Sequence, residues 1–579
     1  MPEHSHVSNP FEYEAASSLD PKRLSEWFID DHNYARFINS RRNIILDGDR
    51  GSGKSMILIY YSIEHELTRA GNNTSDCFGN VGIYIPSNNP LLQRSDHHAL
   101  PNIKRNIISE RYLIYTIATA IAKNLQSLSP RLSDEEKSEI LDELRYLMPS
   151  ESLIDITDPF TYIRRHIRQK LKEDQECLAC GLDFKYDFES SSFYVLIMPI
   201  LEALRSCEIF RNSHFSLLID DGHMLDEYQQ TIVNSWLGFR DHSLFSLKVA
   251  IAGARNYNRI TAYGGTILEG HDYTYIDLYR PFQNLGSEYG AFARKVVEVR
   301  LRQAGISTKA VEFFPPSEAL TKDLEKSKAK AEQLAVSRGI SPSDKKSFND
   351  FRYKFGRAIY FRDRSKRANK PPYAGFETIN HLSTGVLRNM LNLCYNMFDR
   401  QLSYTKAGLP KLIPPDIQTE VIKEESDKHW KFIRDELHRS IKNCTPDDAA
   451  KIEKLFKRLA EYFRDRLMNH NSEPRVLVFI ISAFDRQRDA ELLRLLELSE
   501  EAQLLYVRAG TAKSGGGREN YYVLNRMLFP AYGLDVQGQH GRASLKAEDL
   551  LAAAVNDRQL PLIVDDTDAS PEQWELFDV

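Results

Sequence analysis

The stretch Asn43-Ile-Ile-Leu-Asp-Gly48-Asp49-Arg50-Gly51-Ser52-Gly53-Lys54-Ser55 constrains the fold more than any other part of this chain. An apolar strand-like run ends in G-x-x-x-x-G-K-S and passes straight into the helical sequence Met56-Ile57-Leu58-Ile59. Glycines let the backbone turn tightly, so that successive N–H groups converge on one point, and the helix start adds its positive end. Polyphosphate binding is the chemistry that uses such a turn. Lys54 reaches the β- and γ-phosphates, the Ser55 hydroxyl ligates Mg²⁺, and Gly48, Asp49, Arg50, Gly51, Ser52 and Gly53 line the cradle. The pattern marks a nucleoside triphosphate site. The loop touches no base, so it does not choose ATP over GTP.

The chain has 579 residues, room for roughly three or four domains. An apolar share of 42% and a charged share of 27% are those of a globular protein in water. A net charge of −5 announces no nucleic-acid partner, although an average conceals local basic patches. No apolar run approaches the ~18 residues of a membrane span, and the N-terminus lacks a signal-peptide pattern. Six cysteines over this length point to a reducing interior, so a cytoplasmic protein with no membrane partner is expected. Cys177 and Cys180 form a single C-x-x-C. A structural zinc site needs two such halves, so ordinary thiols are expected there rather than a metal.

Further strands are expected at Val81–Ile85, Phe215–Ile219, Leu247–Ala252 and Tyr273–Leu278. Buried apolar strands alternating with helices predict an α/β fold with a parallel sheet. Residues 1–40 form a helical lead-in beside the first strand. A core follows over 41–315, with an amphipathic helix at Arg111–Leu125 and a polar, irregular insertion at about 128–190. Residues 316–440 form a charged segment and a helical lid. Residues 445–555 begin with the amphipathic helix Ala449–Met468, whose stripe is Ile452, Leu455, Phe456, Leu459, Tyr462 and Phe463. Short elements follow, and then Leu505–Ala509 and Tyr521–Leu524 flank Ser514-Gly-Gly-Gly517. Helices followed by a hairpin with a flexible tip give the order of a winged helix. Residues 556–579 are an acidic tail.

Asp220 and Asp221 end the strand Phe215–Ile219. The first acid is placed to hold Mg²⁺ and the second to orient or deprotonate an attacking water. The strand after it ends in Ala252-Gly-Ala-Arg255-Asn256, where ligands of a parallel sheet gather. Arg255 is the candidate to contact the γ-phosphate, with Asn256 second. In His381-Leu-Ser-Thr-Gly385-Val-Leu-Arg388 a turn enters a helix whose first turn carries an arginine. The helix dipole disfavours a cation there unless an anion offsets it.

The order of phosphate loop, Asp-Asp strand, Ala-Gly-Ala-Arg strand and Ser-x-Gly-x-x-Arg helix resembles AAA+ ATPases of the origin-recognition initiator type, within the ASCE class. Asn9-Pro-Phe-Glu-Tyr and Tyr373-Ala-Gly-Phe376…Leu382-Ser-Thr-Gly-Val-Leu-Arg388 look like a bacterial branch of that group. The resemblance covers roughly residues 9–400, with a winged helix beyond. It implies an α/β parallel-sheet P-loop ATPase core with a helical lid and a C-terminal winged helix. It also implies ATP with Mg²⁺ as the ligand pair, Arg255 at the first sensor position and Arg388 at the second, and a nucleotide-dependent switch on DNA. Several bacterial relatives look like parts of antiviral defence systems.

This chain departs from the pattern in three ways. Asp221 stands where Glu is common, and a shorter reach predicts slow hydrolysis. About 165 residues separate Ser55 from Asp220. No arginine stands out as a finger for a neighbouring copy, Arg259 and Arg280 being weak candidates, so oligomer formation is left open.

Residues 345–370 interleave ten basic residues with Phe348, Phe351, Tyr353, Phe355, Tyr360 and Phe361. They suit contact with the phosphates of double-stranded DNA and stacking on exposed bases, or else a lid helix with a solvated face. Arg508, Lys513, Arg518 and Arg526 suit a wing lying on DNA phosphates. From Asp565 onward there are six acids and no base. Within this tail Gln573-Trp574-Glu575-Leu576-Phe577 resembles the peptide by which bacterial replication proteins dock on the sliding clamp. Two functions fit these features: an ATP-hydrolysing switch acting on DNA or an effector protein, and an ATP-bound scaffold that senses a protein without hydrolysis.

Overall fold

Five strands, β1 (Ile44–Asp47), β2 (Asn80–Pro86), β3 (His214–Asp220), β4 (Phe245–Ile251) and β5 (Thr274–Asp277), form one parallel sheet in the order β2-β3-β4-β1-β5. The computed structural model describes residues 9–12, 15–30, 34–71, 77–94, 101–180, 192–239, 243–253, 257–278, 287–366, 372–405, 408–469, 475–511, 518–537 and 541–562. By its internal contacts the chain forms two units, one of Glu14–Tyr279 and one of Met1–Tyr13 with Arg280–Val579.

In the first unit β1, β3 and β4 are buried along their whole length, as a sheet covered on both faces requires. Alternate residues serve two layers. Ile45, Ile83, Leu217 and Val249 face one hydrophobic cluster, and Ile44, Leu46, Leu218 and Ala250 face the other. Ile57 and Leu58 of the helix Lys54–Tyr60 close the second layer. The strand that follows the phosphate loop in sequence, β2, is not a neighbour of β1 in space, because β3 and β4 lie between them. Lys248 breaks the apolar run of β4, yet it is fully buried. Its ammonium donates to Ser40 O at 2.6 Å, to Ser246 Oγ at 2.9 Å and to Arg42 O. Burial lowers its pKa to about 7.

The segment read as irregular between residues 128 and 190 is mainly helical where described. Asp134–Leu147 starts with a capping box at Ser133 and Glu136, and Pro159–Cys180 follows it. Ile140, Leu141 and Leu144, with Phe160, Ile163 and Ile167, sit in the same cluster as the sheet. The many charges between those apolar positions are the solvated faces of the two helices. The helix expected at Arg111–Leu125 starts earlier, at Asn102.

In the second unit Asn9-Pro10-Phe11 is an anchor. The Asn9 side chain donates to Tyr395 O at 3.0 Å, and Phe11 is fully buried within 6.4 Å of the rings of Phe313, Phe314 and Phe398. The helices Glu318–Ser337 and Lys345–Lys366 pack as a pair through Ala331, Ala335, Phe351 and Phe355. A Cβ at Gly356 would stand 2.9 Å from Lys328 Cγ, so glycine sets how closely the pair approaches. Later come the helices Phe376–Leu382, Leu387–Tyr404, Pro415–Lys431 and Pro446–Asn469. The C-terminal sheet has the order β7-β8-β6-β9, from β6 (Val476–Ser482), β7 (Leu505–Thr511), β8 (Arg518–Leu524) and β9 (Gly541–Lys546). β7 and β8 form an antiparallel hairpin after the helix Ala490–Glu501, and β9 adds a strand parallel to β6. This is a winged-helix order with one strand more than the hairpin and its partner supply. Among the described residues no helix is long and apolar enough to cross a membrane.

Candidate functional site

The loop between β1 and the helix Lys54–Tyr60 is shaped by its glycines. Gly51 and Gly53 adopt φ of 89° and 101°, which only glycine takes without strain. At Gly48 the reason is space. A Cβ there would stand 2.7 Å from Ser52 Oγ and 3.1 Å from Leu278 Cβ. Ser52 Oγ is buried with no hydrogen-bond partner among the described residues. Lys54 is also buried, and its ammonium donates to Gly48 O at 2.7 Å and Asp49 O at 3.0 Å, so the side chain folds back over the cradle. Burial lowers its pKa, while Asp220, Asp47, Asp49 and Asp221 oppose the shift in that order. The loop lysine and both strand-end acids therefore share one electrostatic site.

The first turn of the site is tied down by Asp47. Its Oδ1 accepts from Gly48 N at 2.7 Å and from Gly253 N at 3.0 Å, and its Oδ2 accepts from the Tyr275 hydroxyl at 2.5 Å. Three strand ends, those of β1, β4 and β5, thus meet on one carboxylate. Burial and then Asp47 raise the Tyr275 pKa, so the phenol stays a donor.

Asp220 ends β3 and is buried. Its Oδ1 accepts from Asp221 N at 3.0 Å, and its Oδ2 accepts from the Tyr84 hydroxyl of β2 at 2.8 Å. Burial first, then Asp220, push the Tyr84 pKa up. Asp221 holds a left-handed φ of 52°, uncommon for a residue with a side chain, and starts the tight turn Gly222–Met224. A Cβ at Gly222 would stand 2.6 Å from Val249 Cγ1, so that turn lies directly on β4. The turn also presents His223, whose Nδ1 accepts from Ala252 N at 3.2 Å. Burial, Lys54 and Arg50 together lower the His223 pKa to about 4, so the ring is neutral.

The cradle fits a triphosphate with Mg²⁺ on its own features. It has an orphaned hydroxyl at Ser52, an amide-lined turn with no room for a Cβ at Gly48, a buried ammonium at Lys54 and a carboxylate at Asp220. Ser55 follows Lys54 in the first turn of the same helix. Tyr84, His223, Asp47 and Tyr275 belong to none of the motifs in the sequence. For Asp47 the signal was its position directly before Gly48; the others come in through strand pairing.

Arg255, with Asn256, lies outside the described residues, as do Arg280, Lys513 and the Gln573–Phe577 peptide. Arg388 belongs to the other unit, half-buried in the first turn of Leu387–Tyr404. The turn before it contains Thr384 at φ 55° and Gly385 at φ 81°. Thr384 Oγ1 accepts from Arg526 N at 3.0 Å, and Asn389 Nδ2 donates to the Tyr506 hydroxyl of β7 at 3.2 Å. Val386 packs with Tyr506 and Val523 of the hairpin. The start of the Arg388 helix therefore rests on the wing.

Two expectations about DNA contact need correction. Arg526 is no wing cation: it is 2% exposed, and its guanidinium donates to Val536 O at 2.6 Å and faces His381 Nδ1 at 3.2 Å. In the 345–370 segment Phe351, Phe355, Tyr360 and Phe361 are buried and unavailable to stack on bases. Several of its arginines are also engaged. Arg357 is bidentate on Asp535, Arg362 donates to Leu467 O, and Arg352 and Arg364 pair with Glu332 and Asp323. The face left to solvent carries Lys345, Lys346 and Arg352 beside Tyr353.

A family model described as ORC-CDC6-like matches residues 9–545. No curated protein matches the sequence. Among solved structures the chain is similar to the Aeropyrum pernix Orc1 protein in complex with DNA, at 10% identity and a TM-score of 0.30, over 94% of this chain and 95% of that one. It is also similar to Cdc6p from Pyrobaculum aerophilum, at 11% identity and a TM-score of 0.29, over 95% and 97% of the two chains. At these TM-scores neither likeness specifies a function.

Proposed function

The chain belongs to the ORC-CDC6-like family, and from that premise we propose that it is an ATP-binding switch protein that hydrolyses ATP slowly and couples nucleotide state to DNA or effector binding. The observation that carries the reading is the buried Lys54 ammonium, held over the loop carbonyls and in the field of Asp220 and Asp221. Amides of Gly48 through Ser55 would bind the phosphates, and Lys54 would leave Gly48 O and Asp49 O for the β/γ-phosphate oxygens. Mg²⁺, held by Ser55 and Asp220, supplies neutralisation of phosphate charge when bound. Asp221 orients or deprotonates the attacking water. Its carboxylate is one methylene shorter than the common glutamate, which supports slow turnover. Arg255 and Arg388 keep the sensor roles that the resemblance gives them.

The DNA part of the proposal rests on the family and on the hairpin β7–β8, where Arg508 stands over the Tyr506 ring at 5.2 Å. The acidic tail would dock on a sliding clamp through Gln573–Phe577. A bacterial antiviral setting is proposed on the resemblance alone. Equilibrium binding of ATP tests the central part. The full chain should bind ATP in a Mg²⁺-dependent way and Lys54→Ala should not, while the circular dichroism of both stays the same. Equal ATP binding by the two would sink the reading.

A further inference from the structure

His223 has no part in the sequence motifs, yet the fold brings it to the phosphate site. Two features place it there. Asp221 turns the chain through a left-handed φ of 52°, and Gly222 lies on β4 where a Cβ would collide with Val249. The imidazole then reaches the end of β4, and its Nδ1 accepts the Ala252 N–H at 3.2 Å. An acceptor at Nδ1 fixes the tautomer of a neutral ring, so the proton sits on Nε2 and the far side of the ring is an N–H donor.

The ring is connected to the loop by short steps. Ala252 adjoins Gly253, whose N–H binds Asp47 Oδ1, and the same oxygen accepts the Gly48 N–H. Lys54 and Arg50 of the loop are close enough to oppose protonation of the ring. A neutral N–H donor is thus held beside two cations and Asp221, at the carboxyl ends of β3 and β4, where a parallel sheet receives its ligand. A protonated histidine would suffer repulsion from the loop cations, whereas a neutral one does not. The donor is therefore kept in place without competing with Lys54.

We propose that His223 donates its Nε2–H to a terminal phosphate oxygen of the bound nucleoside triphosphate, so that this side chain distinguishes tri- from diphosphate. The inference rests on the nucleotide-binding reading above. Its contact is made only by the γ-phosphate, so its loss weakens one ligand and spares the other.

The test is equilibrium binding of ATP and of ADP, each with Mg²⁺, to the full chain, His223→Ala and His223→Gln. His223→Ala should weaken ATP about tenfold or more, as expected for one hydrogen bond to a charged group, and leave ADP within about twofold. Glutamine offers an amide oxygen to Ala252 N–H and an N–H₂ toward the ligand, so His223→Gln should recover most of the ATP affinity. Equal weakening of ATP and ADP would show that the ring only braces β4 and would overturn the proposal. So would unchanged ATP affinity in His223→Ala. Failure of the wild-type chain to bind either nucleotide would overturn both the proposal and the reading beneath it, an outcome distinct from the other two.

Discussion

The Tyr84 hydroxyl donates a 2.8 Å hydrogen bond to Asp220 Oδ2, joining β2 to the acid that ends β3. This fixes one carboxylate oxygen and its rotamer. Because the tyrosine pKa is raised by burial and by the carboxylate itself, the bond persists across the whole neutral range. Tyr84→Phe removes the donor and keeps the ring. The expected outcome is a rise of about ten- to hundredfold in the Mg²⁺ concentration that half-saturates ATP turnover, the scale of an outer-sphere partner of a metal ligand. Nucleotide affinity without Mg²⁺ should change little. A Mg²⁺ titration of turnover in both proteins checks it.

The second unit contains a buried ion triad. Asp535 receives Arg357 through Nε and Nη2 at 2.9 and 2.8 Å, and Arg475 lies 3.0 Å from the same carboxylate. Burial alone would raise the Asp535 pKa, but Arg357 and Arg475 outweigh it and hold the carboxyl well below the usual range. Removing the acid leaves two guanidinium groups buried against each other, so Asp535→Asn should cost about 3–5 kcal/mol of stability in urea at neutral pH. The sign of the pH dependence follows from a folded pKa below the unfolded one. The stabilisation is complete above the unfolded aspartate value of about 4 and fades as pH falls toward the folded value. The gap in stability between wild type and Asp535→Asn should therefore narrow below about pH 4.

Thr384 is a β-branched residue at φ 55°, and its hydroxyl accepts the buried Arg526 N–H. Thr384→Ala keeps the strained backbone and orphans that donor, so a loss of about 1–3 kcal/mol is expected. Hydrogen exchange should show where the loss falls. Protection should drop in 383–390, at the start of the Arg388 helix, more than in the helix Pro446–Asn469. An even loss across the unit would contradict the view that the wing holds this turn.

The phosphate loop was legible in the sequence because its chemistry is local, with every group it needs lying within thirteen residues from Asn43 to Ser55. The position of Asp220 and Asp221 was legible because the acid pair closes the apolar run Phe215–Ile219, where β3 ends. The contacts of Tyr84 and His223 were not, since they arise from strand order. β2 pairs with β3, and β4 intervenes between β3 and β1. Arg526 looked like a wing cation, but its partners Val536 and His381 are reached only through the folded unit. The aromatics of residues 345–366 carried their own warning. Phe348, Phe351 and Phe355 are spaced by three and four, the stripe of a helix face, and that face packs on Ala331 and Ala335. Helical spacing at Ile140, Leu141, Leu144 and Leu147 was likewise a signal for the helix Asp134–Leu147, inside the stretch read as irregular.

A nucleotide switch that answers to DNA is tested most directly by steady-state ATP turnover of the full chain, with and without duplex DNA, and with Lys54→Ala as the blank. Slow Mg²⁺-dependent turnover that rises when DNA is added and disappears in Lys54→Ala is expected. Turnover that persists in Lys54→Ala, or that DNA leaves unchanged, would contradict a nucleotide switch answering to DNA.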